Sequence, residues 1–331
     1  MKILVAGGAG YIGNTVCAAL TEAGHTPIIL DSLLTGEQSF AENYTFYRGD
    51  IDDLSILQTI VKENGRIDCV IHLAGLIFVP ESEEKTYEYY RENVGKSIQF
   101  LYNIKNVGCN NIIFSSSASV YGSSEKQEVD ENDSLQPGSP YARTKAMIES
   151  IIKDYCDCYD MRGIALRYFN PIGADPKMRS GSYIKNPSHI LGSLVRAYNS
   201  ESKEFTITGV DWDTRDGSGI RDYIHVWDLA RAHVCAVEKL ENIFENTDEK
   251  FLAINVGRGE GITVKEFVDI FQKVTKTKLN LKYGQARPGD VAGAYAISKR
   301  ANELLDWKTE LTIENAISDA LKWDKKYRGI E

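Results

Sequence analysis

A short apolar run, Ile3, Leu4, Val5 and Ala6, precedes an amphipathic stretch from Tyr11 to Ala23. The run predicts a buried strand and the spacing that follows predicts a helix. A second apolar run, Pro27, Ile28, Ile29 and Leu30, predicts the next strand and ends in Asp31. Residues 44–48 and 67–73 read as further strands, with a helix over 54–62 whose apolar positions are 54, 57, 60 and 61, and Asp52 or Asp53 as its cap. A long helix is predicted over 84–107. Next come a strand at 112–114 running into Ser115, Ser116 and Ser117, a helix over 141–160 and a strand over 164–169. Strands that alternate with helices in this way predict an α/β fold, a Rossmann-like doubly wound parallel sheet covered on both faces. Ligands of such sheets bind beyond the carboxyl ends of the strands.

After Asn170 the pattern changes. Residues 171–187 are rich in Gly, Pro, Ser and Lys and read as a loop or short insertion. A helix over 188–199, a strand over 205–208, a strand passing into a helix over 221–240 and a strand over 251–257 follow. Helices near 263–274, 298–306 and 312–326 close the chain. The expected division is 1–170 plus 226–258 as a dinucleotide-binding domain, with 171–225 plus 259–331 as a smaller α/β substrate-binding lobe.

The first strand and helix are joined by Gly7-Gly8-Ala9-Gly10-Tyr11-Ile12-Gly13. Gly7 would allow a sharp turn. Gly10 would let backbone approach a pyrophosphate on the helix N-terminus, and Gly13 would let helix and strand pack closely. Asp31, eighteen residues beyond Gly13, can accept hydrogen bonds from a ribose 2′-hydroxyl and would repel a 2′-phosphate, which favours NAD over NADP.

Composition narrows the partners. The 331 residues suffice for a large core, and 43% hydrophobic with 26% charged residues is a globular balance. A net charge of -9 argues against nucleic acid, which needs a basic surface. The six cysteines lie mostly in apolar elements. Cys156 and Cys158 do not share a helix face, so reduced thiols and a cytoplasmic setting are expected, with no metal site. The run after Met1-Lys2 is too short for a signal peptide, and nothing approaches a membrane-spanning length.

The chemistry concentrates at Tyr141-Ala-Arg-Thr-Lys145. Four residues apart on a helix, phenol and ammonium lie on one face, and the cation favours a phenolate able to act as a general base.

With the glycine turn, Asp31 and the serine-rich strand end, this motif resembles the extended short-chain dehydrogenase/reductase superfamily, and within it the UDP-glucose 4-epimerase family. The stretches that carry the likeness are residues 7–13, 114–122, 139–145, 167–173, 216–226 and 287–290, spread from Met1 to about Trp323. The resemblance implies NAD-dependent inversion at C4 of a UDP-hexose (UDP-glucose/UDP-galactose) through a transient 4-keto sugar. Ser117, Tyr141 and Lys145 would be catalytic. Tyr11 and Ile12 would lie on the pyrophosphate, Asp31 on the adenosine ribose, and Asp50 and Ile51 at the adenine, with Ser32 also binding the cofactor. Leu73, Ala74, Gly75 and Asn93 would line the cofactor groove, with Phe169 near the nicotinamide. Asn170, Arg221 and Arg287 would hold the UDP phosphates, with Asp290 on the uridine ribose and His189 as a further hydrogen-bond donor to the substrate. A homodimer through the helices at 84–107 and 141–160 is also implied.

Some positions depart from that family's pattern. Ala118 and Ser119 stand where the related dehydratases carry an acid pair. Ile77 replaces a lysine near the cofactor phosphates, His189-Ile190 an Asn-Leu pair, and a threonine at the end of strand 205–208 an aromatic. A tyrosine that closes the sugar pocket in some epimerases aligns with Ala294, although the neighbouring Tyr295 leaves that register open. Ala294 facing the sugar would admit an N-acetyl group. The alternatives are another nucleotide-sugar enzyme of the superfamily, or a non-catalytic NAD-sensing protein on the same fold.

Overall fold

A computed structural model describes residues 1–122, 127–185, 187–245, 247–286 and 291–329. The first half runs β1 (Lys2–Ala6), α1 (Tyr11–Glu22), β2 (Thr26–Asp31), β3 (Thr45–Arg48), α2 (Leu54–Asn64) and β4 (Cys69–His72). It continues through α3 (Val79–Glu84), α4 (Thr86–Tyr89), a π-helical stretch Tyr90–Gly95, α5 (Lys96–Asn106), β5 (Asn111–Ser117), β6 (Glu128–Val129), α6 (Pro140–Tyr159) and β7 (Arg162–Tyr168). The second half holds β8 (Asn170–Ile172), α7 (Ile190–Asn199), β9 (Glu204–Thr208), β10 (Ile220–Arg221), β11 (Tyr223–His225), α8 (Val226–Glu245) and β12 (Phe251–Val256). The remaining elements are β13 (Ile262–Thr263), α9 (Val264–Thr275), β14 (Asn280–Gly284), β15 (Tyr295–Ala296), α10 (Lys299–Leu305) and α11 (Ile313–Arg328).

Seven strands form one sheet in the order β12-β7-β5-β4-β1-β2-β3, all parallel. Parallel strands must be covered on both faces, and they are. Val16, Cys17 and Leu20 of α1 pack with Leu229, Val237 and Leu240 of α8 in one cluster. Leu57 and Ile60 of α2, Phe100 and Ile104 of α5, and Ile148 and Ile152 of α6 pack in another. A third cluster gathers Leu191 and Leu194 of α7, Phe267 and Phe271 of α9, and Ile313 and Ile317 of α11. Burying one such side chain contributes about 1.5–3 kcal/mol.

The helix starts follow local chemistry. Asp53 caps α2 by accepting from Ser55 N–H at 2.8 Å. Thr263 and Glu266 cap α9 reciprocally. The predicted single helix over 84–107 is a correction. The chain becomes helical earlier, at Val79 with Pro80 in the first turn, breaks at Lys85, and passes through the π-helical stretch before α5. The parallel pair β9–β14 includes a strand at 280–284 that the polar pattern there did not announce. The six cysteines are free thiols. Among the described residues no helix is long and apolar enough to cross a membrane.

Candidate active site

The carboxyl ends of β1, β2, β4 and β5 open onto one cavity of about 1730 Å³. That exceeds the roughly 300–1,000 Å³ of a single small-ligand pocket, so there is space for two ligands end to end. At one end lie Gly7, Gly10, Tyr11, Ile12, Gly13, Asp31, Ser32, Asp50, Ile51, Leu73, Ala74 and Gly75, whereas Asn93, expected in the same groove, is buried off its wall. Ser117, Tyr141 and Phe169 also line the cavity, and so do Asn170, His189 and Arg221. Arg287 and Asp290 lie outside the described residues.

The first end fits a dinucleotide. Helix α1 starts at Gly10 with no side-chain cap, so its first N–H groups are presented to the cavity. A Cβ at Gly13 would stand 2.2 Å from the Gly7 carbonyl oxygen, so any larger residue would push the turn apart. Asp31 is braced by Ala9 N–H at 3.0 Å and Leu33 N–H at 2.8 Å. Burial nevertheless raises its pKa, with Asp50 adding to the rise, which marks a carboxylate short of donors that ribose hydroxyls could supply. Asp50 is itself held by Lys96 at 2.5 Å.

Farther along the cavity, Ser139 caps α6 by accepting from Ala142 N–H at 3.2 Å, and Pro140 occupies the first turn. This sets Tyr141 at the helix start, buried, facing the end of β5. Ser117 hydrogen-bonds Tyr141 and so favours the phenolate, but burial outweighs it and raises the phenol's pKa. Lys145 sits behind the phenol rather than on the cavity wall. Its Nζ donates to the Ser115 carbonyl at 2.8 Å and lies 5.9 Å from the Tyr141 ring centre. Thus the depressed phenol pKa expected from the motif is not what the arrangement yields by itself, because the ammonium is engaged by a carbonyl and both groups are dehydrated. Lys145 pays for its own burial: its pKa is pushed down to about 8, with Glu149 partly opposing the shift.

A pH signature follows. The unfolded lysine keeps its proton to about pH 10.5, whereas the buried one sheds it near 8, so between those values the unfolded chain binds more protons. The stability contribution of Lys145 should therefore rise with pH across that window, by about 3 kcal/mol. Denaturation of the cofactor-free protein against pH should show this rise and its loss in Lys145→Met. Parallel curves for the two proteins would refute it.

The substrate end differs in detail from the sequence reading. His189 caps α7, its Nδ1 accepting from Gly192 N–H at 3.2 Å; the ring is solvent-exposed in the open cavity, and the protein mass around it lowers its pKa. The neutral ring thus keeps Nε2–H to donate. Arg221 donates to the carbonyls of Val291 at 3.0 Å and Ala292 at 2.9 Å, and so ties down the segment that carries Ala294. Ala294 lines the cavity, while the Tyr295 hydroxyl donates to Glu128 at 3.0 Å beside the β6–β15 pair. Arg196 and Trp212 also line this end and were missed. The signal for Arg196 is its helical spacing from His189 and Ser193.

The full chain has close counterparts. Residues 3–257 match the model of the NAD dependent epimerase/dehydratase family. The chain belongs to that family. A UDP-glucose 4-epimerase of Halalkalibacterium halodurans is 36% identical over 328 residues, 99% of this chain and 96% of that protein. The crystal structure of a Stenotrophomonas maltophila UDP-glucose 4-epimerase with bound NAD and formylated UDP-arabinopyranose superposes with a TM-score of 0.94 at 32% identity, covering 100% of both chains. That of the Bifidobacterium longum enzyme in complex with NAD+ and UDP gives 0.90 at 32% identity, also over 100% of both.

Arg167 pairs with Glu149 at 2.6 Å, both buried, and Ser116 donates to the same carboxylate. Arg167 also donates to the Tyr121 hydroxyl at 3.0 Å, which donates to Asn255 at 2.6 Å. Glu149 stands one further turn along the face that holds Tyr141 and Lys145, a spacing that could have flagged it.

Proposed function

We propose that the chain is an NAD-dependent epimerase that inverts C4 of a UDP-hexose. The observation that carries this is the position of the buried Tyr141, hydrogen-bonded to the half-buried Ser117, partway along a cavity that runs from an uncapped helix N-terminus to Arg221 and His189. The amides of residues 10–13, with Asp31, Asp50, Leu73 and Phe169, would hold NAD. When bound, it supplies an oxidised nicotinamide as a hydride acceptor that is restored in each cycle. Tyr141 takes the C4 hydroxyl proton as the C4–H bond breaks, and Ser117 hydrogen-bonds the same oxygen. Lys145, whose ammonium has donors left beyond the one given to the Ser115 carbonyl, would hold the cofactor ribose and favour the phenolate once the cofactor is bound. The 4-keto sugar would then have to present its other face, and Tyr141 would return its proton to the C4 oxygen as the inverted alcohol forms. Asn170, His189 and Arg221, with Arg287 and Asp290, hold the UDP. Guanidinium groups suit the diphosphate because their fork matches phosphate oxygens.

The division into a cofactor domain (1–170 plus 226–258) and a sugar-nucleotide lobe (171–225 plus 259–331) is part of this reading, and the separate cluster of α7, α9 and α11 supports it. Ala118 and Ser119 after Ser117 disfavour a dehydratase, since neither can exchange the protons that loss of water requires. Purified protein incubated with UDP-glucose, without added NAD, should yield UDP-galactose. Recovery of unchanged substrate would overturn the proposal.

The same reading includes a homodimer. Ile98 and Tyr102 of α5 and Met147 of α6 are 43%, 50% and 43% exposed, an apolar surface suited to a two-fold helix bundle. Sedimentation should give twice the 37.0 kDa chain mass and, for Ile98→Glu, the chain mass itself. A monomeric parent protein would contradict it.

A further inference from the structure

Beyond β4 the chain forms one wall of the cavity through residues 73–80. A wall made of loop must satisfy its backbone polar groups somewhere. The Leu76 N–H donates to Asn93 Oδ1 at 2.8 Å, and the Leu76 carbonyl accepts from Asn93 Nδ2 at 3.0 Å. Two residues later the arrangement repeats with a different side chain. The Phe78 N–H donates to the Tyr89 hydroxyl at 2.9 Å, and that hydroxyl shares its one proton between the Phe78 carbonyl at 2.7 Å and Glu81 Oε2 at 3.0 Å. Alternate residues of the loop thus have both backbone groups met from the helix behind, as a neighbouring strand would meet them. An amide and a phenol can each donate and accept at once, which is what such a rung needs.

Both rungs are buried, Tyr89 at 0% and Asn93 at 1% exposure. Asn93 is further fixed by donating to Thr144 Oγ1 at 3.1 Å, next to Lys145. Gly75 has φ +150, and a Cβ there would lie 2.9 Å from Asn93 Oδ1, so glycine makes room for the first rung. Helix α4 ends in Tyr89 and the π-helical stretch carries Asn93, and such bulges often mark functional positions. Between the rungs, Ile77 lines the cavity and brings no charge to hold an anionic ligand.

We infer that Tyr89 is a positioning residue for the dinucleotide: with Asn93 it forms a two-rung side-chain ladder that holds residues 76–78 closed against the cavity and so sets how long NAD stays bound. This rests on the reading that the cavity binds NAD. Tyr89 itself does not line the cavity, so its hydroxyl acts only through the loop.

The test is Tyr89→Phe in the full-length holoenzyme, which keeps the ring and deletes the rung. The measurements are the rate of NAD loss during repeated gel filtration, amide hydrogen exchange at Phe78, and turnover at saturating NAD. Loss of one hydrogen-bonded rung should speed NAD release about tenfold and raise exchange at Phe78, with turnover at saturating NAD within about twofold of the parent. Equal release rates in the two proteins overturn the inference, even if the variant melts at a lower temperature, because that would be a structural role alone. If the parent protein carries and binds no NAD, the functional reading fails first and this inference with it. A parent that retains NAD beside a variant that also retains it isolates failure of the ladder.

Discussion

Tyr141→Phe should lower UDP-glucose turnover by about a thousandfold while the purified protein still carries NAD. The change deletes one oxygen from a side chain that is 7% exposed and leaves the ring to fill its place. Folding and cofactor retention should therefore survive. Ser117 would remain, but a serine hydroxyl without the phenol has no base to pass a proton to. General acid–base groups contribute typically about 10²–10⁴ in rate, which a thousandfold loss matches and which corresponds to about 4 kcal/mol of barrier. The checks are kcat and the NAD released on denaturation. Full turnover in the variant would remove Tyr141 from the chemistry. A protein that binds NAD normally and turns nothing over in either form would favour the NAD-sensing alternative.

The parent protein should also interconvert UDP-GlcNAc and UDP-GalNAc, and Ala294→Tyr should abolish that activity by roughly a hundredfold while affecting UDP-glucose far less. Ala294 faces the cavity and Tyr295 does not, so the wall at this position is a methyl group. Arg221 holds the carbonyls of Val291 and Ala292, and Asp222 accepts from Ala296 N–H at 3.1 Å, so the segment is tied on both sides of Ala294. A phenol introduced there cannot be relieved by moving the backbone, and it must take volume from the sugar's side of the cavity. Comparing kcat/KM for the two sugars in both proteins tests this. Rejection of UDP-GlcNAc by the parent would show that another group closes the pocket.

Much of this protein could be read from order and spacing alone. Strands alternating with amphipathic helices imply a doubly wound parallel sheet, because each such strand must be covered on both faces. The glycines at 7, 10 and 13 with Asp31, and separately the Tyr141/Lys145 pair, are each spaced over short, regular stretches, so their helical and strand geometry follows from local rules. Residues 79–106 were harder. Apolar spacing predicts one helix over 84–107, but the chain breaks at Lys85 and passes through a π-helical stretch, where Tyr89 and Asn93 bond a loop more than ten residues away.

Protonation is likewise a property of the folded molecule. Spacing puts an ammonium near a phenol, but how far each is dehydrated, and that Lys145 Nζ meets the Ser115 carbonyl, depend on β5 packing under α6. The orientation of Ala294 and Tyr295 is also decided by a partner distant in the chain, since β15 takes its register from β6. Local sequence therefore sets which elements form and which chemical groups they carry, because backbone preference and periodicity act over a few residues. Which of those groups share a cavity, and in what charge state, is set by packing between segments far apart in the chain, because burial and long-range hydrogen bonds exist only once the fold has closed around them.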